Sequence, residues 1–166
     1  AAAQVFGEDR REMSAGMQRL RPADATAAYR SYLRRIAHMA EEHEFLFGAE
    51  PNGWLREHAH VWSPGEQVLC VADGEGRNSV WLAEQGLKVD AFDIAATGVA
   101  KARELAAQRG VTVNFAVADC DAYAWPDAAL DGVAAIFVQF ADPDLRARLF
   151  ASMVRSLKPG GWLVLQ

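Results

Sequence analysis

A short acidic loop with two glycines and a single downstream carboxylate are the residues of this chain best suited to bind a ligand. The loop DGEG, residues 73–76, follows the apolar run Gln67–Ala72 and precedes a helical pattern. Glycines there permit a left-handed backbone and remove the Cβ atoms that block close approach of a ligand. Asp93 ends the next apolar run, near the ~20-residue spacing expected of an acid that binds a ribose diol. The pattern therefore predicts a ribose-containing ligand, such as an adenosine derivative.

NAD and S-adenosylmethionine both contain such a ribose, and the loop residues favour the second. A dinucleotide site has a third glycine where this chain has Ser79, because the helix must approach the pyrophosphate closely. The carboxylates of Asp73 and Glu75 repel a pyrophosphate, whereas the sulfonium and ammonium groups of S-adenosylmethionine are cations. A tight strand-to-helix turn that binds nothing is the structural alternative, and the paired Asp93 argues against it.

Strand-like and helix-like segments alternate through the rest of the chain, which predicts a parallel, doubly wound sheet. Ligands of such sheets bind outside the carboxyl ends of the strands, so the loop and Asp93 should meet at one edge. The predicted fold class is α/β, a Rossmann-like, mostly parallel sheet of about five strands with an N-terminal helical extension. The predicted strands are Gln67–Ala72, Lys88–Phe92, Thr112–Ala118, Val133–Val138 and Trp162–Leu165; the predicted helices beside them are Trp54–Trp62, Asn78–Gln85, Val99–Arg109 and one that opens at Asp142-Pro143.

Three segments are predicted along the chain. Residues 1–22 carry mixed charge and weak periodicity, which indicates a flexible lead-in. Residues 23–62 are predicted to hold N-terminal helices and a lid-like loop, because apolar residues recur at helical spacing before His43. Residues 63–166 are predicted to form the Rossmann-like domain that binds the ligand.

Composition and charge disfavour several classes of protein. The chain has 166 residues, 51% hydrophobic and 23% charged, with a formal net charge of −5. A broad nucleic-acid-binding surface is therefore not expected. No apolar stretch reaches membrane-spanning length and no secretory signal opens the chain, so no membrane partner is predicted. Cys70 and Cys120 lack metal or redox spacing, which predicts no metal site and a reducing, cytoplasmic location.

Five ordered motifs resemble those of class I S-adenosylmethionine-dependent methyltransferases. The motifs are VLCVADGEGRNS, VDAFDIA, AVADCDAY, IFVQFADPDLRARLF and LKPGGWLVLQ. With the upstream segment FLFGAEPNGWL, the resemblance covers Phe45–Gln166, and GEGRNS is most similar to the tellurite-resistance-like branch. It implies methyl transfer from S-adenosylmethionine to a small nucleophilic acceptor, and the branch implies a detoxification-type acceptor.

The resemblance also implies roles for the residues of the loop. Asp73, Gly74 and Gly76 would line the methionine part of the cofactor. Arg77 would pair with its carboxylate, although a surface position is the open alternative, and Asn78 completes this part of the predicted cofactor-binding set.

A second group of predicted cofactor-binding residues follows the later strands. Asp93 would hold the ribose, and Ile94 would lie against the adenine. Asp119 would face the adenine amino group, and Cys120 would donate its backbone amide. The dipeptide Val138-Gln139 would lie beside the sulfonium.

The chain departs from the family pattern at two places. Cys70 stands where the family has an acid that supports the glycine loop. The family also continues past LKPGGWLVL into two more strands, so the chain is expected to be truncated at its C-terminus. An unpaired edge at Trp162–Leu165 would then favour a homodimer or a partner that completes the sheet. Trp81 and Trp162 themselves are predicted to pack in the core.

Methyl transfer needs orientation more than a base, so no catalytic residue is assigned. His38, His43, His58 and His60 could each supply a base, and His43 is the candidate, since it precedes a loop able to fold over the cofactor; the alternative is that all four are solvated or structural. The predicted function is an S-adenosylmethionine-dependent methyltransferase. The alternatives are a non-catalytic S-adenosylmethionine-binding or scaffold protein and an NAD-linked oxidoreductase.

Overall fold

The computed structural model describes residues 45–166, which form one sheet with helices on its faces. The predicted lead-in, the helix predicted before His43, and His38 lie outside the described residues. The helices are α1 (Gly53–His58), α2 (Arg77–Glu84), α3 (Ala96–Arg109) and α4 (Pro143–Ser156), with a 3₁₀ turn at Ala59–Val61; the strands are β1 (Gln67–Val71), β2 (Lys88–Asp93), β3 (Val113–Val117), β4 (Leu130–Ala135) and β5 (Leu157–Leu165).

The five strands lie in the order β3-β2-β1-β4-β5, and every neighbouring pair is parallel. This order confirms the predicted Rossmann-like fold class. The chain runs outward from β1 to β3 and then returns to the other side of β1, so the strand order reverses between β1 and β4. Val71 at the end of β1 pairs with Phe92 of β2 and with Ala135 of β4, which aligns the carboxyl ends of the central strands.

The apolar strands are buried on both faces. On one face, Val68 and Cys70 of β1 pack with Leu55 of α1 and Leu82 of α2. On the other face, the alternate residues of β1 pack with Leu149 and Met153 of α4. This two-sided burial explains why β1 reads as a continuous apolar run and not as an alternating one.

Two predicted strand boundaries are wrong. The fourth strand is predicted as Val133–Val138, but β4 spans Leu130–Ala135 and the chain then turns at Phe137, which has a left-handed φ of 62°. The fifth strand begins at Leu157, well before the predicted Trp162, because Leu157 pairs with Leu130 across an irregular stretch. Gly132 lies inside β4, and a glycine within a strand gives no apolar signal from which to predict it.

The indole of Trp62 explains that glycine. Trp62 is buried and lies against Gly132 so closely that a Cβ atom at position 132 would overlap the indole Nε1 and Cε2 atoms. The contact packs the segment after α1 against β4. Glycine at position 132 is therefore required by close packing and not by an unusual backbone angle.

The strand β5 lies at one edge of the sheet formed by residues 45–166. Its Trp162 side chain is 56% exposed, so the predicted core position of this tryptophan is wrong. An edge strand has a neighbour on one side only, which leaves its larger side chains less covered. A homodimer or a strand-completing partner at Trp162–Leu165 stays a prediction.

Replacing Gly132 with Ala should destabilise the fold by about 1–3 kcal/mol, because the added methyl group overpacks the Trp62 indole. The free energy of unfolding in urea measures this change. Gly53→Ala is the matched control, since a Cβ atom at position 53 meets nothing within 4 Å. Equal stabilities of Gly132→Ala and the control would contradict the close packing of Trp62 on β4.

Candidate functional site

The loop that joins β1 to α2 has an unusual backbone at three positions. Gly74 and Gly76 have φ angles of 67° and 85°, and Ala72 before them has a φ of 50°. Left-handed angles are free of strain for glycine but cost roughly 1–2 kcal/mol for a residue with a Cβ atom. A Cβ atom built at Gly74 would meet nothing within 4 Å, so the loop faces open space there. The loop can therefore act as a cradle for a ligand.

The carboxylate of Asp93 holds this loop in place. Asp93 ends β2, next to the loop, and its Oδ2 atom accepts a hydrogen bond from the Gly74 amide at 2.9 Å. Its Oδ1 atom accepts a second bond from the Ala95 amide at 2.8 Å. Burial raises the pKa of Asp93 above its usual value, although these amide hydrogen bonds oppose the shift. One side chain thus organises both of the turns that follow β1 and β2.

Helix α3 packs directly on the loop through two glycines. A Cβ atom at Gly98 of α3 would lie 3.1 Å from the Gly74 carbonyl oxygen, and one at Gly76 would lie 2.6 Å from the Ala102 Cβ. Gly98 is not among the predicted site residues, because the helix is predicted to begin at Val99. Its sequence signal is a glycine shortly after the carboxylate that ends β2.

Asp73 has one carboxylate oxygen with a partner and one without. Its Oδ2 atom accepts a hydrogen bond from the hydroxyl of Ser79, a fully buried residue of α2. Its Oδ1 atom is buried and has no hydrogen-bond partner among the described residues. Burial, and after it the nearby charge of Asp93, raises the pKa of Asp73 to about 6, while the Ser79 hydrogen bond and the charge of Arg77 oppose the rise. Asp73 therefore carries a buried charge that its partners among the described residues only partly compensate.

The charge of Glu75 does not face a ligand. Glu75 is only 8% exposed, and its carboxylate accepts a hydrogen bond from the Leu46 amide at 2.5 Å and pairs with Lys101 of α3 at 3.2 Å. The sequence-based argument that Glu75 repels a pyrophosphate is therefore wrong, because Lys101 neutralises it. The carboxylate of Asp73, whose charge is only partly compensated, still disfavours a pyrophosphate at the loop.

Arg77 and Asn78 contact a neighbouring segment of the chain, residues 45–52, which we call the strap. Arg77 donates from Nη1 to the Phe47 carbonyl oxygen at 3.1 Å. Asn78 accepts through Oδ1 from the Asn52 amide at 2.9 Å. Both side chains are predicted to bind the cofactor, and in the structure their polar groups bind the strap.

Most of the remaining predicted residues lie at the ends of β2 and β3. Ile94 follows Asp93 directly, and its side chain is 42% exposed. Asp119 follows β3 and accepts hydrogen bonds from the Asp121 and Ala122 amides at 2.9 and 2.7 Å, so it caps its own turn. Burial raises the pKa of the Cys120 thiol to about 12, with the charge of Asp119 adding to the shift. The Cys120 carbonyl oxygen accepts from Trp125 Nε1 at 2.8 Å, so that backbone oxygen already has a partner.

The last predicted pair lies beyond the end of β4. Val138 is buried in the core, and the neighbouring Gln139 is exposed. The predicted cofactor-binding residues therefore lie at or shortly after the carboxyl ends of β1, β2, β3 and β4, along the edge of the sheet that contains the point where the strand order reverses.

Neither a metal site nor a membrane-spanning helix is found in the described part of the chain. Among residues 45–166, no group of three or more His, Cys, Asp or Glu side chains could hold a metal ion. His58 and His60 donate from Nδ1 to the carbonyl oxygens of Trp54 and Glu57, each at 2.8 Å, and so bind their own helical turn. No helix within this range has the length and apolar character that a membrane span needs.

Residues 68–161 match the family model described as a methyltransferase domain, over more than half of the chain. The chain belongs to the methyltransferase domain family. The class I S-adenosylmethionine-dependent methyltransferase domain predicted from the sequence is thereby confirmed. The match ends four residues before Leu165, so it includes the glycine loop, Asp93 and the turns after β3 and β4.

The methyltransferase domain is similar to several known proteins. It is 30% identical over 112 residues to the ubiquinone biosynthesis O-methyltransferase of Burkholderia thailandensis, a match that covers 66% of this chain and 47% of that protein. It is 36% identical over 103 residues to the demethylmenaquinone methyltransferase of Thermus thermophilus, covering 60% and 46%. The crystal structure of the PH0226 protein from Pyrococcus horikoshii superposes with a TM-score of 0.62 at 29% identity, covering 67% and 53%. The chain thus spans about half the length of these relatives.

The raised pKa of Asp73 predicts a pH-dependent stability for the methyltransferase domain. Because the pKa is about 6 in the folded chain and 3.8 ordinarily, ionised Asp73 destabilises the fold above pH 6, and this penalty disappears as the pH falls towards 4. A rise of the pKa from 3.8 to about 6 corresponds to ~3 kcal/mol. An asparagine side chain cannot ionise, so the stability of Asp73→Asn relative to the parent should be about 2–3 kcal/mol more favourable at pH 8 than at pH 4.

Urea unfolding of both proteins at the two pH values measures this difference, and titrating groups that do not interact with Asp73 cancel in the comparison. A relative stability that does not change with pH would contradict the buried, partly compensated carboxylate.

Proposed function

We propose that the chain binds S-adenosylmethionine at the glycine loop and transfers its methyl group to a small nucleophilic acceptor. The observation that carries the proposal is the hydrogen bond from the Gly74 amide to the Asp93 carboxylate in a chain of the methyltransferase domain family. It joins the open backbone of the loop to the acid of the next strand, and so brings together the two features that a ligand with a ribose and an amino-acid tail requires.

The cofactor is held by groups on four successive turns. Asp93 takes the ribose hydroxyls, since a carboxylate has about four acceptor sites and not all are used by backbone amides. The exposed face of Ile94 covers one side of the adenine, and the turn Asp119-Cys120 offers polar groups to its edge. The loop backbone at Gly74 takes the methionine part, and Val138-Gln139 closes the site from β4.

Electrostatics favours a cationic cofactor over a dinucleotide. The carboxylates of Asp73 and Asp93 lie close enough for the charge of Asp93 to disfavour ionisation of Asp73, so the site has an excess of negative charge. Cationic groups placed there relieve this repulsion, whereas a pyrophosphate would add to it. Ser79 also stands where a dinucleotide site has its third glycine, and its buried hydroxyl is bonded to Asp73. These contacts disfavour the NAD-linked oxidoreductase.

Catalysis rests on orientation and exclusion of water. S-adenosylmethionine would supply a methyl group activated by its sulfonium: the acceptor attacks the methyl carbon in line, the methyl–sulfur bond breaks, and S-adenosylhomocysteine leaves. The chain's contribution is to fix the donor by its ribose and its amino-acid end, and such orientation accounts for much of the rate of a bimolecular transfer. No residue among 45–166 is assigned as a base, and His43 stays a prediction.

The acceptor is a small molecule. The relatives named for ubiquinone and menaquinone biosynthesis support this class, since both of their names refer to small-molecule products. The detoxification-type acceptor implied by the tellurite-resistance-like branch stays a finer prediction. A screen of phenols, thiols, amines and metalloid oxyanions for methyl transfer separates these acceptors.

A non-catalytic S-adenosylmethionine-binding protein is the second candidate, and Cys70 favours it. Cys70 stands where an acid supports the loop in the resembling family, and it is buried, with a pKa raised first by desolvation, so it supplies no charge. A loop with less support binds the donor less rigidly. Release of S-adenosylhomocysteine in the acceptor screen distinguishes an enzyme from a binder.

Replacing Asp93 with Ala should weaken binding of S-adenosylhomocysteine by about 2–4 kcal/mol, because charge-assisted hydrogen bonds to the ribose are lost and the Gly74 amide is released. Isothermal titration calorimetry measures the change. The matched control is Asp90→Asn, since Asp90 lies on the same strand but pairs with Gln67 and Asn114, at 2.7 and 2.9 Å, away from the carboxyl edge.

The control should bind S-adenosylhomocysteine with the affinity of the parent. Binding by Asp93→Ala within about 0.5 kcal/mol of the parent would remove Asp93 from the site.

A further inference from the structure

Three side chains in or directly after the glycine loop, all within residues 75–78, bind the backbone of the strap, residues 45–52. Glu75 accepts from the Leu46 amide, Arg77 donates to the Phe47 carbonyl, and Asn78 accepts from the Asn52 amide. The bonds thus begin at one end of the strap and finish at the other. Such a distribution ties the whole segment, and not a single point of it, to the loop.

The contact at the far end is buried and continues into α1. Asn78 and Asn52 are 7% and 8% exposed, and the Asn52 side chain accepts from the Leu55 amide at 3.1 Å, which caps α1. Loss of the Asn78 amide group would leave the buried Asn52 N–H without its partner, and a buried unsatisfied donor costs more than the bond itself contributes. The strap, the start of α1 and the start of α2 are therefore one connected unit.

The contact at the near end involves a buried charge. Glu75 is held by the Leu46 amide and by Lys101 of α3. A buried carboxylate needs each of its partners, so the conformation that buries Glu75 depends on the strap being in place. Phe45 and Ala49 of the strap also pack against Val80 and Leu105, which anchors it on α2 and α3.

The backbone of the glycine loop is intrinsically free to adopt many conformations. Gly74 and Gly76 both adopt left-handed angles, and glycine gives up more conformational freedom on ordering than any other residue. External contacts therefore decide how much of that freedom remains when a ligand arrives. Contacts that order the loop in advance increase affinity, because the ligand no longer has to order it.

We propose that Glu75, Arg77 and Asn78 are positioning residues, which hold the glycine loop in its ligand-binding shape by docking the strap, and that strap docking and cofactor binding reinforce each other. The inference rests on the proposed function for the identity of the ligand. It assigns to Arg77 and Asn78 a role different from direct contact with the cofactor. By linkage, the factor by which the docked strap raises cofactor affinity equals the factor by which the cofactor stabilises strap docking.

The first test measures S-adenosylhomocysteine affinity by calorimetry, at a temperature where thermal unfolding shows every variant to be folded. Asn78→Ala and Glu75→Ala, which remove the side-chain acceptors of the Asn52 and Leu46 amides, should each weaken binding about tenfold, within the usual range of coupling between sites. The control is Arg109→Gln, which breaks the exposed pairs of Arg109 with Glu50 of the strap, 3.6 Å apart, and with Glu84 of α2, 3.5 Å apart, without touching the loop. The control should bind within about twofold of the parent, whatever its thermal stability.

The second test reads the same coupling from the strap. S-adenosylhomocysteine should slow hydrogen exchange at the Leu46 and Asn52 amides of the parent protein, and this protection should be lost in Asn78→Ala. A merely structural role would lower the thermal stability of the variants and leave both the affinity and the cofactor-dependent protection as in the parent.

Two results would overturn the positioning role while leaving the proposed cofactor in place. One is unchanged affinity for S-adenosylhomocysteine in the variants at positions 75 and 78, and the other is amide hydrogen exchange at Leu46 and Asn52 that does not respond to S-adenosylhomocysteine. Absence of any binding by the parent protein would instead overturn the proposed function, and the positioning role with it.

Discussion

The hydrogen bond between the Asp93 carboxylate and the Gly74 amide is the contact on which the rest of the site depends. It joins the ends of β1 and β2, and it sets the position of the loop whose other side lies against Gly98 of α3. The parallel register of the strands brings the two groups together, so the contact is a consequence of the fold and at the same time the start of the site. Helices α2 and α3, which begin beside it, then carry the Asp73–Ser79 hydrogen bond and the ion pair of Glu75.

Partners within the fold neutralise or hydrogen-bond most of the charged groups of the site, and one carboxylate is only partly compensated. Lys101 neutralises Glu75, and backbone amides solvate Asp93, but one oxygen of Asp73 has no partner among the described residues. Functional sites commonly keep such costs, which a bound ligand of opposite charge relieves. Backbone strain is a second cost of this kind. Ala72 and Phe137 have left-handed φ angles just after β1 and β4, on either side of the point where the strand order reverses.

The sequence was sufficient to predict the order of the elements, because strands buried on both faces and helices ending at glycine give strong local signals. The left-handed Gly110 marks the end of α3. Residues that cap the start of a helix give a comparable signal, and the Asp142 side chain caps α4 through the Leu145 amide. Contacts between segments that are distant in sequence could not be predicted. Gly132, for example, is explained only by the indole of Trp62 that lies on it. Likewise, the strap contacts of the loop side chains depend on which segments meet in space, which no spacing along the chain reveals.

The central claim is that the loop tethered by Asp93 is the cofactor site, and the amide resonances of its glycines test it most directly. In a ¹⁵N–¹H correlation spectrum, the Gly74 and Gly76 signals should shift saturably as S-adenosylhomocysteine is added, and should not shift with NAD. Signals from the opposite ends of the strands, such as Gln67, should stay in place. Saturable binding that leaves Gly74 and Gly76 unshifted, or that shifts them equally with NAD, would contradict the account.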